Sequence, residues 1–190
     1  MKKTLMILGL LFAISGFSQT SESLKTRVAK LFEATNNLDM ETVLNLTYNK
    51  AFGNADRAIL LESMTAAVDN EYMTIEFTNP SPQPFTADAI KTIANRKFSV
   101  IRYQNSLKLH LKQKLDASVI KAMSDGMKEA GNYASVTYDE KTNSFTIEGY
   151  GIMVAVADES TKGEWEFVNY DNKELFNIVF NETIKKELGL

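Results

Sequence analysis

The sequence predicts an α+β domain in which N-terminal helices pack on a strongly curved antiparallel sheet. Three observations lead there. Apolar residues recur at helical spacing as far as Val68, then alternate with polar ones from residue 71. Residues 142–188 read as two strands around a polar turn, 158–163, followed by an amphipathic closing helix. Tyr150 stands between Gly149 and Gly151, a pattern that suggests a bulge or sharp bend in a long strand.

Residues 1–18 read as a signal peptide: Lys2 and Lys3 precede an apolar run from Leu5 to Ile14, and the small residues Gly16 and Ser18 suit cleavage. The run is too short for a permanent span, and no cysteine follows it to carry a lipid. The expectation is a single domain over 19–190, exported to the periplasm or secreted, with no membrane attachment after cleavage. Without Lys2 and Lys3 the chain carries 19 basic against 24 acidic residues, a balance that does not attract nucleic acid. The absence of cysteine removes thiol chemistry, thiolate metal sites and disulfides.

The helices come first. Leu24, Val28, Leu31 and Leu38, with Phe32, mark one, capped by Ser21 or Ser23. Asp39 caps a second over 40–48, with Val43, Leu44 and Leu46 inward, and Gly53 supplies a left-handed turn after it. Asn54 or Asp56 caps a third, whose buried stripe is Ile59, Leu60, Met64, Ala67 and Val68.

Met73, Ile75 and Phe77 then alternate within a strand over 71–78. Pro80, Pro82 and Pro84 place a loop or sheet edge. Residues 90–103 read as one strand, with Phe98 and Val100 on one face and Ile101 and Tyr103 on the other. Asn105 and Ser106 read as a turn into Leu107, Leu109 and Leu111. An inserted helix covers about 116–130, with Val119, Ile120, Met123 and Met127 as its stripe, stopped by Gly131 and Asn132. Residues 133–138 and 145–147 form a hairpin around 139–143. The last strand, 164–168, carries the lone tryptophan, Trp165. Asp171 and Glu174 have capping-box spacing, and Leu175, Phe176, Val179, Phe180, Ile184 and Leu188 continue one helical stripe; Phe176, Ile178 and Phe180 also fit a strand.

This order of elements resembles the NTF2-like superfamily, the SnoaL-like cone fold, and its uncharacterised exported bacterial branch. The resemblance is carried by the end of the first helix (Phe32 to Asn37), the segment from Leu44 to Phe52 with Tyr48, Asn49, Lys50 and Phe52, and the run Trp165, Glu166, Phe167, Val168. It implies a bent antiparallel sheet wrapped round a long helix. It implies no single activity, because that fold serves isomerases, dehydratases and adaptors alike.

No catalytic residue or metal ligand set stands out. The single histidine, His110, alternates with apolar neighbours and points with Lys108 and Lys112 to the wet face, which disfavours a zinc site or a serine triad. No cofactor motif is present. Tyr48, Tyr103, Tyr150, Met153 and Trp165 are the ligand-pocket candidates, and Met64, Met73, Met123 and Met127 could extend an adaptable apolar lining. The reading is an exported, non-catalytic binding or interaction domain holding a small apolar ligand or a protein partner, or pairing with a second copy through its sheet face. Two alternatives stay open: a lyase- or isomerase-type enzyme using a pocket carboxylate and a tyrosine, and a structural envelope protein with a filled core.

Overall fold

The computed structural model describes residues 20–130 and 133–190. The predicted leader lies outside these residues, as do Gly131 and Asn132. Among the described residues the architecture is α+β: six α-helices and one seven-stranded antiparallel sheet that does not close into a barrel.

Helix α1 (Ser21–Asn36) starts at Thr20, not at Ser21 or Ser23; Thr20 accepts the Ser23 N–H and Ser23 returns the bond, closing a capping box. Helix α2 (Met40–Leu46) is capped by Asp39 as expected. A 3-10 turn over Asn49–Phe52 ends at Gly53, whose φ of +56° is the left-handed conformation that glycine allows. Helix α3 (Arg57–Val68) starts at Asp56 but buries no residue: Leu60, Leu61, Met64 and Val68 are half-buried, and Ile59 and Ala67 face solvent. The expected stripe is thus rotated, because α3 lies over the edge strand and not on the core.

The sheet is built on two long strands, β4 (Arg96–Leu111) and β6 (Ser144–Ala157), paired in unbroken register from Lys97↔Ala157 to His110↔Ser144. The expected turn at Asn105 and Ser106 does not exist; both residues sit inside β4. Polar side chains there find long-range partners in Asn79 and Thr78 instead of turning the chain. The expected strand over 90–103 is divided: β3 (Lys91–Ile93) returns on β4 through Ala94 and Asn95, both at positive φ, the conformation of the tight hairpin turn. Strands β1 (Met73–Phe77) and β2 (Phe85–Ala87) complete the outer edge of β4, with β2 following directly on Pro84. On the other side, β5 (Tyr133–Asp139) and β7 (Glu166–Asn169) both pair with β6. The bulge expected at Gly149 to Gly151 is on the neighbouring strand, between Tyr133 and Ser135 of β5, while β6 holds register with β4 through both glycines.

Period-two alternation assigns the core. On one face Ile101, Met153, Ala155 and Phe167 meet Leu24, Val28 and Phe32 of α1, with Trp165 fully enclosed. On the other, Phe98, Val100, Val154 and Val156 meet two short terminal helices, α5 (Lys173–Val179) and α6 (Glu182–Leu188). The expected single closing helix breaks at Phe180, whose backbone is extended, and Asn181 caps the second piece. The capping box at Asp171 and Glu174 is also absent; Asn172 caps α5. At the far end of the sheet, Leu109, Phe145 and Ile147 are covered by α4 (Ala117–Ala130) through Ile120, Met123 and Met127. Each covered face hides a run of large side chains worth about 1.5–3 kcal/mol apiece.

Candidate functional site

The two central strands are continuous, but their neighbours are not. On the outer side of β4, β1 ends at the level of Leu107 and β2 begins at Tyr103. Side chains and loop fill this gap: Gln83 donates to the Gln104 carbonyl at 2.6 Å, the Thr78 N–H donates to the Ser106 carbonyl, and Asn79 Oδ1 accepts the Ser106 N–H. On the outer side of β6, β5 ends at Gly149 and β7 begins at Met153, so Tyr150, Gly151 and Ile152 lie between two strand ends. Asp171 accepts the Ile152 N–H at 3.2 Å, and the Tyr170 N–H donates to the Ile152 carbonyl. The rest of this notch is an open cleft of about 550 Å³, lined by residues of β4, β5, β6 and the β7–α5 junction.

Tyr103 forms the cleft's inner wall. It stands opposite Gly151 in the register, and its ring runs over that glycine. Phe32 packs on the ring with centroids 5.1 Å apart, and Phe85 packs on Phe32. No protein group among the described residues hydrogen-bonds the Tyr103 hydroxyl, yet it is not a sealed, unsatisfied atom; it opens to the cleft. Burial, with the negative charge of Asp171 as a second cause, pushes its pKa up to about 12. The group is therefore a fixed, neutral hydrogen-bond donor at any physiological pH.

Three carboxamides share the wall, each oriented by a fixed donor. Asn169 Oδ1 accepts the Asp171 N–H at 2.8 Å, and Asn172 Oδ1 accepts the Leu175 N–H at 3.1 Å. Asn105 is set at one remove: the Ser106 N–H fixes Asn79 Oδ1, so the Asn79 amide nitrogen donates to Asn105 Oδ1 at 3.3 Å. A backbone N–H can only donate, so each oxygen is committed to the fold and each Nδ2 is left as a donor. Glu174 supplies a carboxylate, while the Lys173 ammonium sits over the Tyr170 ring, 3.1 Å from its centroid. Tyr150 and Tyr133 also line the cleft, 64% and 42% exposed as residues.

Of the five residues expected to line a pocket, the fold brings two together here, Tyr103 and Tyr150. Met153 and Trp165 are packed in the core beneath α1; the indole N–H donates to Ser23 Oγ at 3.2 Å, and Arg27 holds the Trp165 carbonyl. Tyr48 is fully buried on the opposite face, its hydroxyl donating to Asp158 Oδ2 at 2.7 Å. Lys50, Ser160 and Thr161 bind the same carboxylate. Burial acts to raise the Asp158 pKa, but the bonds from Ser160, Tyr48, Lys50 and the Thr161 N–H outweigh it and hold the group well below the usual carboxylate range. The methionines do not gather at one cavity: Met73, Met123 and Met127 pack under α4, Met64 lies on α3, and Met153 is in the α1 core. His110 is on the wet face, bonded to Glu76 at 2.9 Å. The amides Asn105, Asn169 and Asn172 gave no sequence signal, since isolated asparagines read as turns. Among the described residues no three His, Asp or Glu side chains come together to hold a metal, and no helix is long and apolar enough to cross a membrane.

No family model matches the chain, and no curated protein is similar to it. Among solved structures, it is similar to the crystal structure of a conserved protein from Planctomyces limnophilus DSM 3776. The identity is 11% and the TM-score 0.39, over 78% of this chain and 95% of that one.

Proposed function

We propose that this chain is an exported binding domain whose ligand seat is the cleft at the outer edge of β6, and that it acts by binding and not by catalysis. The observation that carries the reading is the Tyr103 hydroxyl, held as a donor at the cleft wall with no hydrogen-bond partner among the described residues. A ligand oxygen in the cleft could accept this hydroxyl in place of water. The cleft volume, about 550 Å³, suits a small molecule. The polar lining favours a polar ligand over the apolar one expected from the sequence. A sheet-face dimer has less support, because the uncovered face of β4 and β6 carries Lys108, His110, Thr146 and Glu148.

We read the sheet as the curved layer of an NTF2-like cone. In support, the flanking strands part at the same level on both sides, around the Gln104↔Tyr150 pair, which frees the central ribbon to bend there. Export rests on the leader-like residues 1–18.

Native mass spectrometry of the protein purified from its own compartment tests the binding reading. A retained small-molecule adduct that is weakened in Tyr103→Phe and Tyr150→Ala is the expected result. Bare protein in every preparation would overturn it and favour a purely structural role. A second reading, a lyase- or isomerase-type enzyme, draws on the neutral Tyr103 phenol in the field of Asp171. Chemical turnover of the adduct's parent compound that Asp171→Asn abolishes would favour this second reading.

A further inference from the structure

We infer that the cleft between β5 and β7 takes a neutral carbohydrate; this rests on the reading of that cleft as the ligand seat. Four donor-bearing side chains line it: Tyr103 with its hydroxyl, and Asn105, Asn169 and Asn172, whose oxygens accept bonds within the fold and leave the amide nitrogens to donate. Their orientations are fixed by the protein, so they are organised before any ligand arrives. Such donors suit oxygen atoms. They give nothing to a choline-like cation, which would otherwise suit exposed tyrosines.

The charge of the cleft argues against anions. Among the described lining residues Asp171 and Glu174 are acidic, and the Lys173 ammonium is turned onto the Tyr170 ring. The Glu174 carboxylate repels a phosphate or carboxylate brought beside it. A sugar hydroxyl has both roles to offer: its oxygen accepts from the amides and Tyr103, and its proton goes to Glu174. The exposed rings of Tyr150 and Tyr133 complete the match. A pyranose ring presents a face of C–H groups, which carry slight positive charge and meet the negative face of an aromatic ring.

The test is an NMR titration of the purified protein. The probes are maltohexaose, cellohexaose, xylohexaose, mannohexaose and chitohexaose, with choline and sodium phosphate as comparators. The expected result is that at least one oligosaccharide shifts the side-chain amide signals of Asn105, Asn169 and Asn172 and saturates at micromolar to millimolar concentration. Tyr150→Ala should weaken that binding by about tenfold or more, the loss of about one good contact. Tyr72→Ala, an equally exposed tyrosine outside the cleft, should leave it unchanged. If choline or phosphate shifts these signals and no sugar does, the carbohydrate assignment fails while the cleft stands as a ligand seat. If no probe shifts them and the protein from its own compartment carries no adduct, both fall.

Discussion

Tyr103 and Gly151 face each other across the two central strands, and the tyrosine ring occupies the space that a side chain on Gly151 would fill. A β-carbon there would lie 2.4 Å from Tyr103 Cζ. The glycine is needed for room and not for an unusual backbone angle. Its absence of a side chain lets the ring cross β6 and brings the hydroxyl to the cleft.

Gly151→Ala should therefore destabilise the protein by about 1–3 kcal/mol, because a packed ring must move. Gly126→Ala is the control: nothing lies within 4 Å of a β-carbon there, in the interior of α4. It should stabilise by up to ~1 kcal/mol. Thermal melts of the two variants, moving in opposite directions, check this pair.

The Tyr103 phenol titrates late. Its folded-state pKa of about 12 lies above the ordinary value of 10.0. Below pH 10 both folded and unfolded states hold the proton and nothing is lost. As pH rises from 10 to 12 the unfolded chain ionises first, so stability falls by roughly 1.4 kcal/mol per pH unit. Alkaline denaturation compared with Tyr103→Phe measures it; the variant should lose this part of the slope.

Asp158 does the reverse. Its folded-state pKa is lowered from 3.8, so its contribution is present above about pH 4 and is lost as pH falls below that. Asp158→Asn should cost about 2–4 kcal/mol by weakening several buried bonds at once. Tyr48→Phe, which removes one of them, should cost about 1–2 kcal/mol. Acid unfolding of wild type should be steeper than that of Asp158→Asn; equal profiles would refute the assignment.

Trp165 is fully buried and reports on the α1 face. Its fluorescence should be blue-shifted and resistant to iodide in the folded protein. Trp165→Ala should cost about 3–5 kcal/mol, read from urea unfolding.

Much of the fold was legible where a side chain's role depends only on its chain neighbours. Alternation placed Phe98 and Val100 opposite Ile101 and Tyr103, and the structure puts them on opposite faces of β4. Asp39 caps α2 because a carboxylate needs only the N–H three residues on. Reading failed where the partner is distant. Asn105 and Ser106 read as a turn because their partners, Asn79 and Thr78, lie more than twenty residues away. Phe180 read as mid-helix, but its ring packs on Tyr48 and Phe98, and the backbone opens to let it.

Local periodicity and turn chemistry alone determined the α+β class, the helix cap at Asp39 and the 133–147 hairpin, and left Asn54 and Asp56 both open for the third helix; the last strand was placed too early, since β7 starts at Glu166 and Trp165 lies just before it. Only the tertiary structure decided that β5 and β7 share one edge of β6 without meeting, and so where the cleft lies. The reason is physical: strand pairing is a contact between residues far apart in sequence, and a gap between two pairings leaves no mark on either strand.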